Sequence, residues 1–258
     1  MERKTIVITG STRGIGEGLA TRFLAKGHQV VINGRNEEAV NLKLKQFEEK
    51  SFAASGVAGD VTNSDTFKKI IKCAVDNYAK IDFWINNAGI PQSFQFFNTI
   101  DEEEIHKIVD VNIKALMMGT KAAINFFKEQ GYGKIFNMEG FGSNGRMMDK
   151  LSLYGTTKRA VNYFSKAVSK EIREAHIQLG ILSPGMVKTD FIKGPREHET
   201  EKEHLRTEKV MNILSEDVDK VTTFLVQQIL KSRKKYDRIE YLTFRRLFPK
   251  IIRLMFVR

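Results

Sequence analysis

Tyr154 and Lys158 stand four residues apart in a segment of helical periodicity, so their side chains share one face. A free phenol ionises near pH 10. A neighbouring ammonium favours the phenolate and lowers that value. Such a pair can hand a proton to a carbonyl oxygen as hydride arrives, or take one from an alcohol. The same spacing alone also describes a solvated pair on a helix surface. A second group points the same way. Gly10, Ser11, Thr12, Arg13, Gly14, Ile15 and Gly16 follow a short apolar run at the chain start and precede a helical pattern. Small residues there let the backbone approach a pyrophosphate, and a helix N-terminus offers it free N–H groups and a positive dipole end.

The elements that must position these groups can be read from the hydrophobic pattern. Thr5–Thr9 is short, β-branched and ends at glycine, as a buried parallel strand does. Further strands are expected at 29–33, 52–56, 83–86, 133–138 and 178–182, and helices at 37–50, 66–78, 102–129, 153–175 and 217–230. Strand and helix patterns alternate, which requires an α/β fold: one doubly wound parallel sheet with helices on both faces. One domain over residues 1–240 is expected, followed by a basic tail at 241–258.

The chain has 258 residues, 41% hydrophobic and 28% charged, which fits one large soluble domain. It holds no apolar run of membrane-spanning length, and its first residues lack a signal-peptide pattern. The lone Cys73 excludes an internal disulfide, reads as core filler and suits a reducing cytosol. No metal-ligand cluster stands out. Net charge is +11, of which +8 falls in residues 231–258. The body is therefore nearly balanced, which argues against a nucleic-acid partner.

The end of the second strand ordinarily meets the adenosine ribose, where an acid would take the 2′-OH of NAD. Here Asn33-Gly34-Arg35-Asn36 offers none before Glu37, and Arg13 in the glycine turn reaches the same place. Two guanidiniums suit a 2′-phosphate, so NADP(H) is the expected cofactor.

These motifs, with Asp60-Val61, Asn86-Asn87-Ala88-Gly89, Asn112 and Pro184-Gly185-x-x-x-Thr189, resemble those of the short-chain dehydrogenase/reductase family over residues 4 to about 192. The resemblance implies a Rossmann-fold sheet of about seven strands. It implies that Asp60 and Val61 flank the adenine, and that Asn87, Ala88 and Gly89 border the cofactor. Asn112 then holds a water in a relay with Lys158, which also binds the nicotinamide ribose. Pro184, Gly185, Val187 and Thr189 lie at the carboxamide end. Read singly, Asp60 also suits a turn cap, Asn112 a backbone cap and Pro184-Gly185 a plain bend. One departure stands out: the family ends its fifth strand with a substrate-orienting serine, and Gly140 holds that place here. Ser143 and Ser152 are the nearest hydroxyls, with Ser143 taken as the replacement. The stretches 135–146, 154–159, 182–190, 212–216 and 241–243 are similar to the chlorophyll(ide) b reductase branch.

Around the site, Phe94, Phe96 and Phe97 can meet an apolar substrate or anchor their loop. The charged stretch 193–209 falls where the family carries a lid, and also reads as a plain surface loop. The tail interleaves Arg/Lys with aromatic and aliphatic residues. It can lie on an anionic membrane, cover another subunit or pack on its own body. The resemblance implies a homodimer or homotetramer. The expected function is hydride transfer between NADP(H) and a small carbonyl/alcohol substrate. A nucleotide sensor without turnover and a membrane-associated scaffold are the competing classes.

Overall fold

The computed structural model describes residues 2–172, 176–188 and 213–255. Seven parallel strands form one sheet in the order β3-β2-β1-β4-β5-β6-β7. They are β1 (Thr5–Ile8), β2 (Gln29–Gly34), β3 (Ala54–Ala58), β4 (Phe83–Asn86), β5 (Gly133–Met138), β6 (Ile177–Ser183) and β7 (Arg238–Glu240). The order reverses between β1 and β4, which opens a crevice beyond their carboxyl ends. The helices are α1 (Gly14–Leu24), α2 (Glu37–Glu48), α3 (Ser64–Tyr78), α4 (Glu102–Val109), α5 (Leu116–Gln130), α6 (Ser152–Glu171), α7 (Val218–Lys231) and α8 (Phe244–Met255).

Alternation along the strands divides the core. Ile6 and Ile8 of β1 pack with Leu19, Phe23, Leu225 and Ile229 under α1 and α7. Val7 points the other way, into Phe67, Ile70, Trp84 and Phe127 under α3 and α5. The central strands β1, β4 and β5 are thus covered by apolar side chains on both faces, as their apolar sequences require.

The expected α/β architecture is what the chain adopts, with three local differences. The third strand lies two residues later than expected. The stretch 102–129 is not one α-helix: Asp110–Ala115 winds as a π-helix between α4 and α5. Such bulges widen the helix locally and concentrate at functional sites, and Asn112 lies in this one. The seventh strand has only three residues, too few for an alternation signal. The tail also differs from a uniformly solvated basic segment. Lys250 of α8 turns inward to Glu216 at 2.8 Å and to the carbonyls of Ile213, Leu214 and Ser215. The Arg246 guanidinium lies over the rings of Phe224 and Tyr241, 4.5 and 4.3 Å from their centroids.

Candidate active site

The glycine turn is pinned at the switch point. Gly10 and Gly14 each adopt φ +60°, and a Cβ on Gly10 would stand 2.8 Å from the Ala88 Cα. A side chain on Gly16 would overlap the Gly10 carbonyl oxygen. Asn87 donates to the carbonyls of Thr9 and Gly10 at 3.0 and 2.9 Å, and the Thr9 hydroxyl accepts from the backbone N–H groups of Asn87 and Ala88. Ser11 donates to the Ile8 carbonyl and accepts from the Asn33 N–H. The side chain of Arg13, at the cap position of α1, makes no capping hydrogen bond. The first N–H groups of α1 therefore have no side-chain cap.

At the end of β2, Gly34 packs on Thr12: a Cβ there would lie 2.6 Å from the Thr12 Cγ2. Arg13 and Arg35, the residues following these two, are exposed at the same mouth. Asn33 is buried and donates to the carbonyls of Val57 and Gly59. Asp60 does cap a turn: its carboxylate accepts from the Thr62 N–H and hydroxyl, each at 2.9 Å. Val61 is buried against the α3 core.

Tyr154 and Lys158 lie one turn apart on α6, and both are buried. The Lys158 ammonium is 5.5 Å from the Tyr154 ring centroid and donates to the Met138 carbonyl at 3.4 Å. Burial pulls the Lys158 ammonium down to about 8, opposed by the charge of Glu139. Burial pushes the Tyr154 phenol above its ordinary value. This corrects the expectation of a phenol lowered by its lysine: within the fold, desolvation of the phenolate is the larger effect.

Asn112, on the π-helical turn, accepts from the Ile90 N–H at 2.8 Å and donates to the Ile90 carbonyl at 2.9 Å. Its amide also reaches the Thr157 hydroxyl at 3.4 Å. Both amide atoms thus clamp the loop after β4 against α6, as a backbone cap would. A Cβ on Gly89 would be 3.2 Å from the Asn112 Oδ1 and 3.5 Å from the Lys158 Nζ, so Gly89, Asn112 and Lys158 meet at one point.

The loop after β5 explains Gly140. A methyl group there would overlap the Tyr154 hydroxyl and stand 3.2 Å from the Lys158 Cγ. Gly142 adopts φ +91°, where a Cβ would come within 2.5 Å of the Gly155 Cα. Ser143 is buried and its carbonyl accepts from Arg159 at 3.0 Å, whereas Ser152 is exposed at the start of α6. Gly185 adopts φ +75° against Leu242, and Val187 is buried and bridges Glu216. Thr189 and the stretch 193–209 lie outside the described residues.

Two residues that the sequence did not flag join this site. Gln92 accepts from the Tyr154 N–H and donates to the Lys150 carbonyl, each at 2.8 Å. It ties the loops on either side of the cleft, and no local pattern marks it. Glu139 is a buried carboxylate directly after β5, and an acid ending an apolar strand was its available signal. Phe96 and Phe97 are exposed, and Lys150 lies over the Phe94 and Phe96 rings at 5.3 and 5.2 Å. Among the described residues, no His/Cys/Asp/Glu group could hold a metal ion.

With this geometry in view, three likenesses are informative. The probable chlorophyll(ide) b reductase NYC1, chloroplastic, of Oryza sativa subsp. japonica is 32% identical over 258 residues, covering 93% of this chain. The chain spans only half the length of that relative. The chlorophyll(ide) b reductase NOL, chloroplastic, of Arabidopsis thaliana is 34% identical over 230 residues, 87% of this chain and 64% of its own. The crystal structure of 3-ketoacyl-(acyl-carrier-protein) reductase from Brucella melitensis complexed with NADH superposes with a TM-score of 0.80 at 26% identity, covering 95% of this chain and 99% of that one. The family model for short chain dehydrogenase matches residues 4–200. The chain belongs to the short chain dehydrogenase family of oxidoreductases, on the branch of the chlorophyll(ide) b reductases.

Proposed function

We propose that the protein is an NADP(H)-dependent oxidoreductase that interconverts a carbonyl and an alcohol, with Tyr154 as general acid or base. The observation that carries this is the buried Tyr154–Lys158 pair at the carboxyl ends of the central strands, beside Gly89, Asn112 and Gly140. The residues fit a dinucleotide. The α1 N-terminus has no side-chain cap, Gly14 adopts φ +60°, and Gly10 and Gly16 pack too closely on Ala88 and the Gly10 carbonyl to carry a side chain, which keeps this turn tight. That turn would hold the pyrophosphate, with Ser11, Thr12 and Ile15 shaping it. Asp60 and Val61 would border the adenine; Asn87, Ala88 and Gly89 would border the ribose. Pro184, Gly185, Val187 and Thr189 would border the carboxamide. When bound, the nicotinamide supplies or accepts hydride. Tyr154 Oη gives its proton to the substrate oxygen in reduction and removes one in oxidation. Lys158, as ammonium, favours departure of that proton. Asn112 fixes the loop after β4 and is proposed to hold a water in the proton relay with Lys158. Ser143 is the hydroxyl proposed to orient the substrate in place of a serine at 140.

The substrate reading is a carbonyl on an apolar molecule, supported by Phe96, Phe97 and the exposed Met147 and Met148 at the rim. The test is an NADPH-oxidation screen over aldehydes, ketones, steroids, acyl thioesters and formyl-porphyrins. Turnover of at least one class is expected. NADPH binding without turnover across the panel would favour a sensor instead.

Preference for NADP(H) rests on Arg13 and Arg35 at a mouth whose first acid is Glu37. Loss of one charge-assisted contact of about 1.5–3 kcal/mol corresponds to about a 10- to 100-fold weakening. Arg35→Ala is expected to raise KM for NADPH by that factor and leave KM for NADH nearly unchanged. A wild type that prefers NADH would contradict the assignment.

The same reading includes a homodimer or homotetramer in a reducing cytosol, with α8 resting on an anionic membrane surface. Among the described residues no helix is long and apolar enough to cross a membrane. Phe248 and Ile252 of α8 are exposed one turn apart, while Lys250 faces the body. Replacing both exposed residues with serine is expected to reduce co-flotation with phosphatidylserine vesicles. Equal flotation removes the membrane contact.

A further inference from the structure

Glu139 is the first residue after β5, and its side chain is fully enclosed. One carboxylate oxygen accepts a hydrogen bond from Asn162 of α6, one turn beyond Lys158. The other faces the Arg238 guanidinium of β7 at 3.2 Å. The chain direction fixes its place. Its own N–H donates to the Leu182 carbonyl at 2.8 Å, and the preceding carbonyl, of Met138, receives the Lys158 ammonium. The next residue, Gly140, packs on the Tyr154 hydroxyl. An enclosed carboxylate costs several kcal/mol, and a well-packed apolar residue would often stabilise the fold as well. Its presence at this point therefore calls for a role in the site.

We propose that Glu139 is a positioning residue: it is the fixed counter-charge behind Lys158 that keeps the lysine an ammonium and Tyr154 a proton donor. This rests on the oxidoreductase reading above. Arg238 is the second half of the device, because it offsets part of the negative charge that Lys158 would otherwise feel.

The groups around the pair set the sign. On α6 lie Tyr154, Lys158 and the neutral Asn162. From the β7 side come Arg238, Glu240 at 3.9 Å from that guanidinium, and Tyr236, whose phenol burial and Glu139 push to about 12. From the π-helical turn between α4 and α5 comes the neutral Asn112. Burial lowers the proton affinity of Lys158, and Glu139 opposes it. Removing the negative charge makes both Lys158 and Tyr154 release protons more readily. Removing the positive charge of Arg238 does the reverse.

The experiment is the pH profile of kcat/KM for carbonyl reduction, measured for the wild type, Glu139→Gln and Arg238→Met. Gln keeps an acceptor for Asn162 and removes only charge. Its alkaline limb is expected to move to lower pH by about half a unit or more, while Arg238→Met moves it upward. A residue that only braces the fold changes activity or stability and leaves the limb in place. Should Glu139→Gln fail to fold, Arg238→Met decides, and an unmoved or lowered limb there overturns the proposal. An unmoved limb in a folded Glu139→Gln also overturns it, with the oxidoreductase reading intact. A wild type lacking any nicotinamide-linked turnover overturns both together.

Discussion

Tyr154→Phe is expected to lower kcat for carbonyl reduction by about three orders of magnitude, within the range for loss of a general acid. The fold should persist, because the ring is buried on α6 and phenylalanine keeps that packing. Only the hydroxyl is lost. Cofactor affinity should change little, since the proposed pyrophosphate site lies at the glycine turn between β1 and α1, braced by Asn87. The check is single-turnover NADPH oxidation beside a fluorescence titration of NADPH. A variant within tenfold of wild-type kcat would place the proton donor elsewhere, with Ser143 the first candidate.

Lys158→Met carries the second largest expected effect: a loss of about 100- to 10,000-fold in kcat/KM, because it removes the charge that assists proton transfer. Its stability consequence can be worked out separately. The folded-state value of about 8 lies below the ordinary 10.5. Between those limits the unfolded chain holds a proton that the folded chain has released. Stability therefore rises with pH across that window. Tyr154 works the other way above about pH 10, but it is common to both proteins. The urea midpoint of the wild type relative to Lys158→Met should thus climb between pH 8 and pH 10. A flat difference would mean that Lys158 is not desolvated.

Much of this was legible beforehand because the signals are local. Alternating strand and helix patterns required a parallel sheet, and the glycine spacing at residues 10, 14 and 16 marked the first turn. The Tyr154/Lys158 spacing needed only a helix to become a pair. What escaped depends on contacts distant in sequence. The π-helical turn at Asn112 keeps an amphipathic pattern, so its change of winding has no signature at the level of residue type. β7 is too short to alternate. Lys250 reads as a solvated tail charge until Glu216 and three carbonyls appear beside it. Gly140 looked like a missing hydroxyl. In the fold it is the space into which the Tyr154 phenol leans, and a serine there would force the phenol to move.

The same contrast separates Asn112 from Lys158. Both were assigned to one relay by resemblance. In the fold the Asn112 amide also bonds the Ile90 backbone, which holds Gly89 and Ile90 beside Lys158. Gln92, on the same loop after β4, acts likewise through the Tyr154 N–H. The Tyr154–Lys158 pair is thus braced by Gln92 at the Tyr154 N–H and by Asn112 beside Gly89 and Lys158.

In a structure of the protein with NADP+ bound, the pyrophosphate is expected on the N-terminus of α1 and the 2′-phosphate between Arg13 and Arg35. The nicotinamide should lie over Gly89 and Lys158, its C4 facing the Tyr154 hydroxyl across a gap that admits one carbonyl. A dinucleotide bound away from the carboxyl ends of β1 and β4, or a Tyr154 hydroxyl turned from the nicotinamide, would contradict the proposed function.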